Sequence, residues 1–240
     1  MKSTNFTCLM LLLILPVLLL VSCGDEVDCI RGRGDVESRD FNLDVVNGLR
    51  VNGDTRVFVR RGATQRIEVR AQPNVLDAIN TNVANGVWDL SFDRCLRSHK
   101  TVEVYMTVPE LSSAEMIGSG RVELQDEFET DNFRAVLDGS GYLWINVSAT
   151  KVSSRLTGSG KIDLVGTAEV EEINLSGSGS IKSFGLSSEN AGVVLSGSGS
   201  VEVHAANELA VTISGSGNVY YQGNPTINSN ISGSGKVIKR

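Results

Sequence analysis

The stretch Leu175-Ser176-Gly177-Ser178-Gly179-Ser180-Ile181 decides the fold, because six other stretches repeat its pattern. Gly-Ser-Gly stands at 118–120, 139–141, 158–160, 177–179, 197–199, 215–217 and 233–235, at successive spacings of 21, 19, 19, 20, 18 and 18 residues. So steady a period is the signature of a solenoid, in which each unit leaves an apolar face for the next to cover. Two residues before the first glycine stand Met116, Leu137, Leu156, Leu175, Leu195, Ile213 and Ile231. Two residues after the second stand Val122, Leu143, Ile162, Ile181, Val201, Val219 and Val237. Apolar residues and glycines therefore share one parity, and the serines share the other with charged residues. Period two is the period of a strand. The glycines read as corners where the inward side chain has to vanish. The expected fold is all-β: a single-stranded parallel β-helix with Gly-Ser-Gly corners about every 19 residues.

Composition agrees with a thin repetitive core. Aromatic residues make up 5% of the chain and glycines number 25, while 41% of residues are hydrophobic. The formal charge of −6, with no run of Lys and Arg, argues against a nucleic-acid partner.

The start of the chain carries Lys2, an apolar run from Cys8 to Val21, and then Leu20-Val21-Ser22-Cys23. This is the pattern of a lipoprotein signal peptide over 1–22, with cleavage before Cys23 and acylation of its thiol. The expected partner at this end is a membrane, reached through the lipid, with residues 23–40 as the tether. Cys29 and Cys95 are then the pair left over, and an even pair in an exported chain suggests a disulfide. A metal site would need ligands beyond His99.

Residues 41–110 alternate at period two without the glycine marker, as in Val57-Phe58-Val59 and Val102 to Val108. Turn signals at Asn47-Gly48, Asn52-Gly53-Asp54 and Asn85-Gly86 divide them. They read as an irregular strand region continuous with the regular coils of 111–240.

Taken together, the lipoprotein start, the Cys29 segment, Val46-Asn47-Gly48 with Val51 and Val57, the strand from Val87 to Phe92, Val104 to Pro109, and the Gly-Ser-Gly coils resemble the head GIN domain family of auto-transporter adhesins. The acidic residues Asp25, Glu26 and Asp28 behind Cys23 likewise resemble the export signal of Bacteroidetes-type surface lipoproteins. The resemblance covers about residues 40–223 and implies a β-helix on an outer membrane, exposed at the surface or in the periplasm. It brings no catalytic residues and no cofactor.

A β-helix that acts on polysaccharide needs carboxylates converging on one face. Three positions after each Gly-Ser-Gly the outward residues run Glu123, Trp144, Asp163, Lys182, Glu202, Tyr220 and Ile238, alternating in sign and type as a soluble face does. The run Asp126, Glu127, Glu129 and Asp131 reads as a solvated turn, with a hard-cation site as the alternative. The outward aromatics Tyr142, Trp144 and Tyr220, with Tyr221 beside the last, are the candidates for stacking against a glycan or a protein ligand. The expected function is a non-enzymatic surface binding or adhesion module. A carbohydrate-active β-helix enzyme, or a structural envelope protein without a specific ligand, are the alternatives.

Overall fold

The computed structural model describes residues 29–240, so the signal peptide and the acylated cysteine expected at Cys23 lie outside the described residues. In chain order the elements begin with β1 (Ile30–Arg31), β2 (Glu37–Phe41), β3 (Gly48–Gly53), β4 (Arg56–Arg61), β5 (Arg66–Ala71) and α1 (Pro73–Leu76). Then come β6 (Val83–Ala84), β7 (Val87–Leu90), β8 (Leu96–Arg97), β9 (Glu103–Val108), β10 (Ser113–Gly118) and β11 (Arg121–Leu124). The long coil strands are β12 (Phe128–Gly139), β13 (Tyr142–Gly158), β14 (Lys161–Gly177), β15 (Ser180–Gly197) and β16 (Ser200–Gly215). The last coil is β17 (Asn218–Gln222), β18 (Thr226–Gly233) and β19 (Lys236–Lys239). From β10 onward every pairing is parallel and runs coil on coil, giving a β-solenoid of about 7 turns with a repeat of about 19 residues.

The two apolar columns are stacks in register. Met116 pairs with Leu137, Leu137 with Leu156, Leu156 with Leu175, and so on to Ile213 and Ile231. All of these but Ile231 are buried. Each such side chain contributes roughly 1.5–3 kcal/mol through burial.

The corners work differently from a simple inside bend. The first glycine of each copy has φ between +118° and +130°, and in every copy but the last its carbonyl accepts from two N–H groups of the following coil. Gly158 O, for example, takes the N–H of Ser178 and the N–H of Gly179, both at 3.0 Å. A Cβ on Gly177 would stand 2.4 Å from that same oxygen, so the missing side chain leaves room for the neighbouring coil's backbone, not for the interior. The second glycine answers both demands. At Gly179 a Cβ would lie 2.6 Å from Gly160 O and 2.6 Å from Leu156 Cδ2 in the core. Ser178 and its equivalents are exposed.

The first third of the chain joins this stack out of order. β3 and β4 pair in parallel with β10 and β11 on one side and with β7 and β9 on the other. The coil 48–61 therefore lies between two segments that both follow it in sequence. Gly53 stacks under Gly118 and has φ +92°, so Asn52-Gly53-Asp54-Thr55 is an eighth corner. Thr55 replaces the second glycine there, fully buried, with its hydroxyl unpaired among the described residues. Beyond β9 the sheet turns antiparallel through β5 and β2, which close this end. Under that cap Trp88 is buried and donates its indole N–H to Asn80 O at 2.9 Å. A disulfide joins Cys29 to Cys95, with Cα atoms 4.7 Å apart, and β1 pairs with β8 beside it.

One carboxyl lies in the core. Glu171 is fully buried between Val152 and Ala191 in its column, and neither oxygen has a hydrogen-bond partner among the described residues. Burial pushes its pKa up to about 8. The Ser183 hydroxyl, which donates to Glu202 O at 2.7 Å, offsets little of that.

Candidate ligand-binding face

Stacking the coils in register turns positions scattered along the sequence into vertical columns on the outer face. One column reads Glu68, Tyr105, Phe58, Glu123, Trp144, Asp163, Lys182, Glu202, Tyr220 and Ile238. The next reads Arg56, Arg121, Tyr142, Lys161 and Ser180. Coils about 4.8 Å apart place Phe58 about 10 Å from Trp144, and Tyr220 about 19 Å from Trp144 on the far side.

The aromatic candidates have different surroundings. Trp144 is half-buried on the face between Glu123 and Asp163. Tyr142 is covered by the Arg121 guanidinium at 4.5 Å from its centroid and by Lys161 Nζ at 5.3 Å. Its hydroxyl donates to Asp163 Oδ2 at 2.6 Å, and Lys161 donates to the same oxygen at 2.6 Å. Burial, then the Asp163 carboxylate, raises this phenol far above its ordinary range, so Tyr142 stays a neutral donor. Its half-buried ring is a structural partner of two cations. Tyr220 stands apart, with Arg240 over its ring at 4.7 Å. Tyr221 falls on the inward parity, in register with Val203, and packs partly buried against the core, away from the outward column of Trp144 and Tyr220.

Sequence reading did not single out the ring pair at the capped end. Phe58 and Tyr105 stack at 5.3 Å with 23° between their planes, and Arg70 lies over Tyr105 at 4.5 Å. Burial, then the Glu103 carboxylate that accepts the Tyr105 hydroxyl at 3.0 Å, pushes that phenol up as well. Glu68 bridges Arg66 and Arg70, and the Ser38 hydroxyl, then Arg70, holds its carboxyl below the ordinary range. Arg121 pairs with Glu123. Two shallow depressions, of about 230 and 380 Å³, lie on this part of the face and both include Phe58 in their lining.

The acidic run opens on a different corner. Asp126 accepts the Arg61 N–H at 3.0 Å and Glu129 pairs with the Arg61 guanidinium at 2.8 Å. Glu129 and Asp131 border a wide trough of about 870 Å³ with Glu110, Glu169 and Glu189. Among the described residues no group of His, Cys, Asp and Glu is placed to hold a metal ion. No helix among them is long and apolar enough to cross a membrane.

Residues 46–225 match the family described as "putative auto-transporter adhesin, head GIN domain". No curated protein matches the chain in sequence. Among solved structures, a putative adhesin from Bacteroides fragilis superposes with a TM-score of 0.81 at 21% identity, covering 88% of this chain and 100% of its own. A putative lipid binding protein from Parabacteroides distasonis gives a TM-score of 0.74 at 22% identity, covering 88% and 99%. A putative adhesin from Parabacteroides merdae gives 0.70 at 21%, covering 89% and 99%.

Proposed function

This chain belongs to the head GIN domain family, and from that premise we propose that it is a non-enzymatic binding or adhesion module of the cell surface. It is tethered through a lipid on Cys23, and it contacts its ligand with the face that carries Phe58, Tyr105 and Trp144. The observation that carries the reading is the stacked Phe58–Tyr105 pair on a flat outer sheet, continued two coils on by Trp144. Aromatic rings held rigid by the stack lose little entropy when a ligand covers them, and they supply most of the contact energy in many interfaces. The adhesin character of the family and of two structural neighbours supports a binding role over a catalytic one.

Binding of the full chain to a glycan array and to intact cells tests this. Phe58→Ala and Trp144→Ala are expected to weaken capture at least tenfold, while Tyr220→Ala leaves it unchanged. Capture unaffected by the first two substitutions would move the site elsewhere.

A further inference from the structure

We infer that the Phe58 end of this face binds an acidic polysaccharide, a chain of sugars bearing carboxylate or sulfate groups; the inference rests on the binding reading above. The floor is partly apolar: Phe58 and Tyr105 are stacked on each other with Arg70 over the far side of Tyr105, and the half-buried ring edges they leave at the surface are what the C–H groups of a sugar ring pack against. The two depressions flank that floor, so a chain laid across it meets a recess on either side of the phenyl ring.

The walls set the charge. Their charged residues are five arginines, 56, 60, 66, 70 and 121, against two glutamates, 68 and 123. The glutamates are already committed to Arg66, Arg70 and Arg121. The remaining two, Arg56 and Arg60, stand on β4 on either side of Phe58 and have no carboxylate partner among the described residues. Arg60 donates from Nε to Gln125 Oε1 at 2.7 Å, which fixes the stem and leaves the outer nitrogens of the fork available. Planar guanidinium forks match carboxylate and sulfate oxygens two at a time. At the rim Asp40 pairs with Arg66, and Glu103 is held by the Tyr105 hydroxyl. This local excess of positive charge sits on a chain whose formal charge is −6, so it is not a general property of the surface.

A polysaccharide fits better than a lipid surface. The large hydrophobic residues that protrude, Val36, Val45, Ile117, Val194, Ile227 and Ile231, are not among those lining the two depressions, and Phe58, which is, lies half-buried, so no protruding apolar side chain is there to insert between acyl chains.

The experiment compares dextran sulfate, polygalacturonate, unmodified dextran and phosphatidylglycerol vesicles as ligands for the full chain. Expected is binding of the two acidic polymers, weakened as salt is raised, with none to dextran. R56E/R60E should lower that binding at least tenfold with the unfolding temperature unchanged. K182E/K236E, the same change of charge farther along the face, should leave it intact. Equal binding of dextran, binding of the vesicles alone, or R56E/R60E binding like the parent would each overturn the inference. Cell capture that depends on Phe58 and Trp144 without any binding of acidic polymers would sink this assignment and leave the binding face standing.

Discussion

Gly177→Ala is the sharpest probe of the corner. At φ +119° an alanine is strained by about 2 kcal/mol. Its Cβ would begin 2.4 Å from Gly158 O, about 1 Å inside ordinary contact, so that carbonyl has to move. The carbonyl carries two hydrogen bonds, from Ser178 and Gly179, and weakening both costs about 1 kcal/mol each. The expected loss is about 4 kcal/mol. Ser178→Ala keeps the backbone and removes only an exposed hydroxyl, for less than about 0.5 kcal/mol. Urea unfolding followed by circular dichroism separates them. With a slope of about 3 kcal/mol per molar urea, the glycine variant's midpoint falls by about 1.3 M and the serine variant's barely moves. If the serine variant lost as much as the glycine variant at unchanged slope, the exposed hydroxyl would be holding the coils together as much as the glycine, and the corner argument would fail.

Glu171 makes stability fall with rising pH. Its carboxyl keeps its proton to about pH 8 in the fold, whereas the unfolded chain releases it near 4.5. The folded state therefore holds more protons across that window, and its contribution is intact below about 4.5 and lost progressively toward 8. Glu171→Gln, which cannot ionise, should flatten this slope in thermal unfolding between pH 5 and pH 8; an unchanged slope would mean the carboxyl is already ionised in the fold. Thr55→Val keeps the shape and removes an unpaired buried hydroxyl, so it should stabilise by about 1 kcal/mol in the same urea assay; a loss would reveal a partner for that hydroxyl. Removing the Cys29–Cys95 bridge opens a loop of sequence separation 66, and a double Cys→Ser variant should lose about 4 kcal/mol, read as a lower urea midpoint and faster proteolysis near residue 95. Equal resistance to protease would show that the cap holds without it.

The coils were legible because their cause is local: glycine at the corner and apolar residues at period two lie within seven residues of one another in each copy. Which coil touches which was legible only where stacking follows chain order. Asn52-Gly53-Asp54 reads as a turn because Thr55 stands where the second glycine belongs and the stacking partner, Gly118, lies 65 residues on. The Phe58–Tyr105 pair escaped for the same reason. Each ring's outward parity follows from its valine and methionine neighbours, but their adjacency comes from β4 lying on β9. Glu171 has the inward parity of Ile173 and Leu175, and period two alone would have buried it. Tyr221 shows the same rule from the other side, since its neighbour Tyr220 took the outward place.

The misplaced coil also governs the order in which the protein can be made. In a chain that emerges from its N-terminal side, residues 48–61 come before their partners, and Leu49, Val51, Val57 and Val59 have neighbours on both sides only after 87–108 and 113–124 have followed. Until then both edges of a short apolar ribbon face solvent, and the loops to be closed are long, which slows pairing and invites aggregation. Later coils face no such delay. Each finds its template finished about 19 residues behind it, so the array lengthens toward the C-terminus one turn at a time once the knot of early strands has set. The first half of the molecule therefore sets the pace of folding, and the second half is its own mould.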